Sequence, residues 1–143
     1  MRIERIMDAT AIHAAADLFD GPPLASVTER FLAAPGHHLL LAYDECGRAV
    51  GMISGVEMTH PDKGTEMFVY ELGVAPASRL QGIATRLIAE LASIARRGGC
   101  YGMWVATETD NKAALATYRR AGAAEETTFT LLSWDLIEGA PDD

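Results

Sequence analysis

Residues 67–74, MFVYELGV, are apolar on both faces of a strand except for one carboxylate, Glu71. A strand buried on both sides belongs inside a sheet that is covered on each face. Six residues later a second pattern begins. Leu80, Ile83, Ala84, Leu87, Ile88, Leu91, Ile94 and Ala95 recur at helical spacing, and Gly98-Gly99 ends the run. One apolar stripe on a long helix has to be buried against something, and the preceding strand is the nearest partner. A central strand, a short turn and a helix folded back on it restrict the chain to a helix-on-sheet architecture.

The remaining segments fill in that architecture. RIERI reads as a first strand. Ile12, Ala15, Ala16 and Phe19 give a helix over DATAIHAAADLFD, capped by Asp8 or Thr10 and broken at Gly21-Pro22-Pro23. A second short helix carries Leu24, Val27, Phe31 and Leu32 and ends at Pro35-Gly36. HHLLLAY, the turn DECGR and AVGMISGVEM read as a hairpin. Beyond the long helix come a strand over YGMWVAT, a helix over TDNKAALATYRRAG and a last strand over FTLLSWDL. The predicted order is β-α-α-β-β-β-α-β-α-β. This is an α/β fold with a mixed, mostly antiparallel twisted sheet flanked by helices. One domain is expected over residues 1–137, with 138–143 a flexible tail.

Composition narrows the function. Twelve basic residues against twenty acidic ones give a net charge of −8. That balance argues against nucleic acid and anionic membrane surfaces, and is compatible with a cationic substrate or with solubility alone. No apolar run is long enough for a bilayer and MRIERIMDAT lacks the apolar core of a signal peptide, so a cytoplasmic protein is expected. Cys46 and Cys100 have no metal-ligand spacing; free thiols and no metal are expected.

Within SRLQGIATRLIAE, Gly82 stands where a helix should start, although glycine is a poor helix former. Two readings fit: a loose turn, or a backbone that must approach a ligand closely. The first turn of a helix presents unpaired N–H groups and partial positive charge, which suit a diphosphate. Arg79, Gly82 and Ala84 form R-x-x-G-x-A, without the G-x-G-x-x-G of a dinucleotide fold or the Lys-Ser/Thr of a P-loop.

The strand holding ELGV, the R-x-x-G-x-A turn and the helix in DNKAALATYRRAG together resemble the GNAT superfamily of N-acetyltransferases, over nearly the whole chain. FVYELGV, QGIATRLI, ALATYRRAG and Glu125-Glu126 further resemble the aminoglycoside 3-N-acetyltransferases of the GNAT type. The resemblance implies acetyl-CoA as cosubstrate and an aminoglycoside as acceptor, acetylated at its 3-amino group by direct transfer. A homodimer is also implied. Those enzymes usually carry Asp at the position of Glu71, Ala at that of Gly73 and a basic residue at that of Leu80. The longer carboxylate changes acceptor geometry, and Leu80 removes a phosphate contact that backbone amides would have to replace.

Site residues follow from the same resemblance. Leu72 and Val74 would pair through their backbones with the pantetheine arm, with Gly73 marking a bulge or being merely a weak strand residue. Arg79, Leu80, Gln81, Gly82, Ile83, Ala84 and Thr85 would hold the pyrophosphate, and Asn111, Ala114 and Tyr118 would touch the rest of the cofactor. Asn111 serves equally as a plain helix cap. Tyr118 is either a core aromatic or a donor to the departing thiolate; reference values of about 8.5 for a thiol and about 10 for a phenol make that donation feasible. Glu71 is either a hydrogen-bonded structural carboxylate or the base that deprotonates the amine. Asp20, Glu57, Glu108 and Asp110 would line an acidic acceptor cleft with Glu71, although each alone suits a solvated surface. Two other functions stay open at this stage: acetylation of a polyamine, peptide or small metabolite, and a non-catalytic CoA-binding module.

Overall fold

The computed structural model describes residues 1–137. They form β1 (Arg2–Arg5), α1 (Ala9–Ala14), α2 (Ala25–Ala33), β2 (His37–Tyr43), β3 (Ala49–His60), β4 (Gly64–Val74), α3 (Ile83–Arg97), β5 (Gly102–Trp104) and α4 (Lys112–Arg120), with single 3-10 turns at Ala16–Leu18 and Pro76–Ser78. The sheet has the order β1-β2-β3-β4-β5. β1 to β4 run antiparallel and β5 joins β4 in parallel. The expected mixed, mostly antiparallel α/β fold is therefore present.

Two apolar layers sandwich the sheet. On one face Leu40, Ala42, Val50, Ile53, Met67 and Val69 meet Ile83, Leu87, Ile88, Leu91 and Ala95 of α3. On the other, Leu39, Leu41 and Met52 meet Ile6, Ile12 and Ala15. Gly51 and Gly55 bring α3 onto β3. A Cβ on Gly51 would lie 2.8 Å from Ile83 Cγ2, and one on Gly55 would lie 2.9 Å from Leu91 Cδ2.

Several boundaries differ from the sequence reading. α3 starts at Ile83 rather than near Leu80, because Leu80 (φ 62°) and Gly82 (φ 78°) adopt left-handed conformations that a right-handed helix excludes. Leu80 therefore lies outside the apolar stripe and is fully exposed. The first helix breaks at Ala15 into a shorter helix and a 3-10 turn. The last predicted strand, Phe129–Leu136, is unpaired, and every residue from Gly122 to Ile137 is exposed. Apolar alternation reports that a segment is fit to pair, not that a partner edge lies beside it. The expected tail, 138–143, lies outside the described residues.

At the far end of α3 from its N-terminus, a polar chain crosses the sheet. Arg5 Nε donates to His38 Nδ1 at 3.1 Å, His38 Nε2 lies 3.2 Å from Glu57 Oε2, and Cys100 Sγ lies 3.8 Å from Glu57 Oε1. Because Nδ1 accepts, the proton of neutral His38 sits on Nε2 and is donated to Glu57. His38 is thus a satisfied core histidine. Burial and Glu57 hold the Cys100 thiol above its usual range, which keeps it unreactive.

Candidate active site

β4 and β5 stay together for only three residue pairs, Glu66–Gly102, Met67–Met103 and Phe68–Trp104. Beyond Trp104 the chain leaves the sheet, while β4 continues to Val74. A wedge opens between them. Ala75 N–H donates to the Val50 carbonyl at 2.8 Å, so Ala75 and, by alternation, Gly73 turn their backbone groups toward β3. Leu72 and Val74 then turn theirs into the wedge. Arg79 Nε holds the Val74 carbonyl at 3.2 Å, fixing the corner where β4 becomes the turn before α3.

A bulge sets what faces the wedge. In the β3–β4 ladder Ser54 pairs with Glu71 and Gly55 with Val69, so Tyr70 is the extra residue. The bulge lies at Tyr70, not at Gly73 as the sequence suggested; Gly73 pairs regularly with Met52. Its effect is a change of phase. Met67 and Val69 point into the α3 layer, and after the bulge so do Leu72 and Val74. Glu71 is turned to the opposite face, beside the α1 layer, where an unbroken strand would have aimed it at α3. Gly73 shares that face, and a Cβ there would lie 3.7 Å from the Leu18 carbonyl.

Glu71 is half-buried, and its carboxyl is pushed above the ordinary range by burial first and by the charge of Asp20 second. Asp20 therefore belongs to the same electrostatic neighbourhood. Glu57 does not: it faces the α3 layer at the opposite end of β3, bound to His38. It is removed from the acceptor set, because residues two apart share a strand face and Glu57 shares that of Ile53 and Gly55. Glu108 and Asp110 sit exposed in the β5–α4 loop, where their carbonyls accept from Asn111 and Lys112.

At the start of α3, Gly82 caps the helix without any side-chain hydrogen bond, and its carbonyl accepts from Arg86 at 3.1 Å. The N–H groups of Ile83, Ala84 and Thr85 belong to the first turn, which has no intrahelical acceptors. A Cβ on Gly82 would meet no protein atom within 4 Å, so the space in front of this turn is open. Ile83 turns its side chain into the core and offers only backbone here. Gln81 and Leu80 are exposed. Among the described residues no carboxylate pairs with Arg79.

Tyr118, on α4, packs against the same apolar layer as Leu72, Val74 and Val105, and burial raises its phenol above the ordinary value. Asn111 caps α4, its Oδ1 accepting from Ala114 N–H at 3.1 Å, which is the structural one of its two sequence readings. Glu71 and Tyr118 thus lie on opposite faces of the sheet, and the wedge is the opening between those faces. A ligand with a diphosphate at Gly82–Thr85 and an extended arm along Leu72 and Val74 fits this arrangement. Among the described residues no three His, Cys, Asp or Glu side chains are grouped to hold a metal, and no helix is long and apolar enough to cross a membrane.

The model of the acetyltransferase (GNAT) family matches residues 7–123. The N-alpha-acetyltransferase RimI of Mycobacterium tuberculosis is 39% identical over 111 residues, covering 75% of this chain and 66% of that protein. The chain thus matches just under two thirds of that relative's length. Among solved structures, the aminoglycoside acetyltransferase meta-AAC0020 from an uncultured soil metagenomic sample superposes with a TM-score of 0.86 at 19% identity, over 95% of this chain and 96% of that one. The aminoglycoside N-acetyltransferase AAC(6')-Iy, in complex with CoA, superposes with a TM-score of 0.82 at 20% identity, over 94% and 99%. With 117 of its 143 residues inside the family match, the chain belongs to the acetyltransferase (GNAT) family.

Proposed function

We propose that this chain is an acetyl-CoA-dependent N-acetyltransferase acting by direct transfer on a cationic amine, with an aminoglycoside as acceptor and its 3-amino group as the position acetylated. The observation that carries the reading is the wedge, with a carboxylate on one face and a phenol on the other. Acetyl-CoA supplies the acetyl group as a thioester. The Gly82–Thr85 turn and Arg79 bind its pyrophosphate, and the backbones of Leu72 and Val74 align the pantetheine arm. Glu71 takes a proton from the ammonium, directly or through water, so that the neutral nitrogen attacks the acetyl carbon. The new C–N bond forms and the C–S bond breaks as Tyr118 gives its proton to the sulfur; the attacking nitrogen then loses its excess proton, through water, to the Tyr118 phenolate, and the proton held by Glu71 leaves to solvent. Glu71 and Asp20, two acids on one face, supply the negative field that draws a polycation. The segments FVYELGV, QGIATRLI and ALATYRRAG support the aminoglycoside.

A second acceptor has its own support: the 39% identity to RimI favours the α-amine of a peptide. A thiol-release assay over aminoglycosides, polyamines and N-terminal peptides separates the two. Turnover is expected with aminoglycosides at a kcat/KM at least tenfold above that with peptides. The reverse order overturns the aminoglycoside in favour of the peptide, and binding of acetyl-CoA with no turnover on any amine overturns the enzyme reading. In the same assay Tyr118→Phe is expected to lower kcat about 10–100-fold, within the general-acid range, with the KM for acetyl-CoA within threefold. An unchanged kcat assigns Tyr118 to packing alone.

A further inference from the structure

We propose that Phe68, Tyr70 and Trp104 form the floor of the acceptor site and select amines borne on a ring, whose C–H face lies flat on these aromatic side chains. This rests on the acetyltransferase reading above and adds to it the residues that choose the acceptor. The shelf lies on the sheet face away from α3. Met67 and Val69 point into the α3 layer, so Phe68 between them points to the other face. Trp104, its register partner on β5, holds its ring 4.5 Å from that of Phe68, and Tyr70 meets Phe68 edge to face at 6.2 Å. None of the three belongs to either apolar layer of the fold. The helices on this face pack against Leu39, Leu41 and Met52 of β2 and β3, and they leave Tyr70 72% and Trp104 40% exposed. Clustered apolar surface left in water marks a place where something binds.

The bulge in β4 joins this shelf to the chemistry. Consecutive residues of a regular strand point to opposite faces, so Tyr70 and Glu71 would serve different sides of the sheet. The extra residue at Tyr70 removes that constraint. Its ring stays with Phe68, and Glu71 is turned to the same face. Glu66, two residues before Phe68, shares the face too, and its Oε2 accepts from the Tyr101 hydroxyl at 2.9 Å. Carboxylates therefore stand at both ends of the shelf, Glu71 with Asp20 at one and Glu66 at the other.

An apolar floor with acids at its ends matches one kind of amine: a rigid ring with an apolar C–H face and ammonium groups around its rim, as in an amino sugar or aminocyclitol. The ring covers the aromatic faces without freezing torsions of its own. A linear polyamine must give up the freedom of many rotatable bonds for the same contact. Ammonium groups at the rim meet the carboxylates, and those above a ring gain from the aromatic face as well. A peptide terminus brings one obligatory ammonium, which leaves the Glu66 end unmatched. Apolar walls with a few placed polar groups are the ordinary make-up of a small-molecule site.

The test compares neamine, whose amines sit on rings, with spermine, a linear amine with as many amino groups. Equal charge makes the pull of Glu71 and Asp20 common to both, so the difference between them reads the shelf. Trp134→Phe leaves Trp104 as the one tryptophan. With CoA bound, its emission should respond to neamine and should respond several-fold less to spermine at the same concentration. Tyr70→Ala and Trp104→Leu should each lower kcat/KM for neamine at least tenfold, and Tyr70→Phe, which keeps the ring, should recover most of that loss. Emission that ignores neamine, or follows spermine equally, overturns the shelf; silence toward both amines would mean that something else covers it. A loss below tenfold in both variants, with native circular dichroism, overturns it as well. If Tyr70→Ala misfolds, Trp104→Leu and the emission still decide. Turnover judges the underlying reading separately. If the native enzyme acetylates peptides and not neamine, the aminoglycoside acceptor falls, while the emission response still decides whether the shelf takes a ring.

Discussion

Glu71→Gln is expected to lower kcat/KM for the amine acceptor by about 10²–10⁴, the range for a positioned general base. The KM for acetyl-CoA should stay within threefold, because Glu71 faces the α1 layer and not the turn before α3. The pH profile gives the sharper reading. Burial and Asp20 hold the Glu71 carboxyl above its ordinary value of 4.5. The acidic limb of kcat/KM should therefore lie above the usual carboxylate range in the native enzyme and vanish in the Gln variant. The amine's own titration, at higher pH, should remain in both. Stability should move the other way. A carboxyl whose folded pKa is raised favours the protonated form in the folded state. Both states are protonated below about 4.5, so nothing is lost there; the penalty builds as pH rises from that value through the raised one. Gln never ionises, so at pH 7 the variant should melt no lower than the native protein. A rate loss accompanied by a lowered Tm would indicate damage to the fold, and a retained acidic limb would assign the base to another residue.

How far the sequence carried this arrangement depends on the kind of signal. The stripe of α3 and the two-sided apolar strand β4 were legible because burial writes itself into spacing. Leu87, Leu91 and Met67 are indeed completely buried. The bulge was also written, though less plainly. Apolar residues in β4 fall at 67 and 69 and then at 72 and 74, a slip from odd to even that one extra residue explains. Glycine within a strand points to a bulge at 73, whereas the phase change falls between 69 and 72. Glu57 is not legible for a different reason: an exposed acid and an acid bound to a buried histidine look alike in sequence, and only the pairing of β2 with β3 puts His38 beside it. The cap at Asn111 is legible because its amide oxygen has a backbone donor three residues on, a local signal. FTLLSWDL, at 129–136, has the composition of a strand but no ladder partner among the described residues, since pairing belongs to whichever edge is within reach.

Substitution of Gly82 separates two reasons for a glycine at one position. Its φ of 78° is left-handed, which costs an ordinary L residue about 1–2 kcal/mol. Its missing Cβ also leaves open space in front of the first turn of α3. Gly82→Val imposes both burdens, since a β-branched side chain tolerates that φ poorly and fills the opening. The KM for acetyl-CoA is expected to rise about 10–100-fold, equivalent to about 1.4–2.8 kcal/mol of lost binding, with a lowered Tm. Gly82→Asn isolates the second burden. Asn enters the left-handed region readily, and no protein atom obstructs its Cβ, so the fold should keep its Tm within a few degrees. If the opening exists for a diphosphate, Asn should still raise the KM for acetyl-CoA at least tenfold, and titration with CoA should show the same loss in Kd. Should the Asn variant bind CoA as tightly as the native chain, Gly82 serves the turn alone. The pyrophosphate would then have to be held by Arg79 and by the amides further along α3. Arg79 already has its Nε on the Val74 carbonyl, so it can approach a phosphate only with its terminal nitrogens. The predicted loss on Gly82→Asn thus measures how much of the binding comes from backbone that glycine alone can expose.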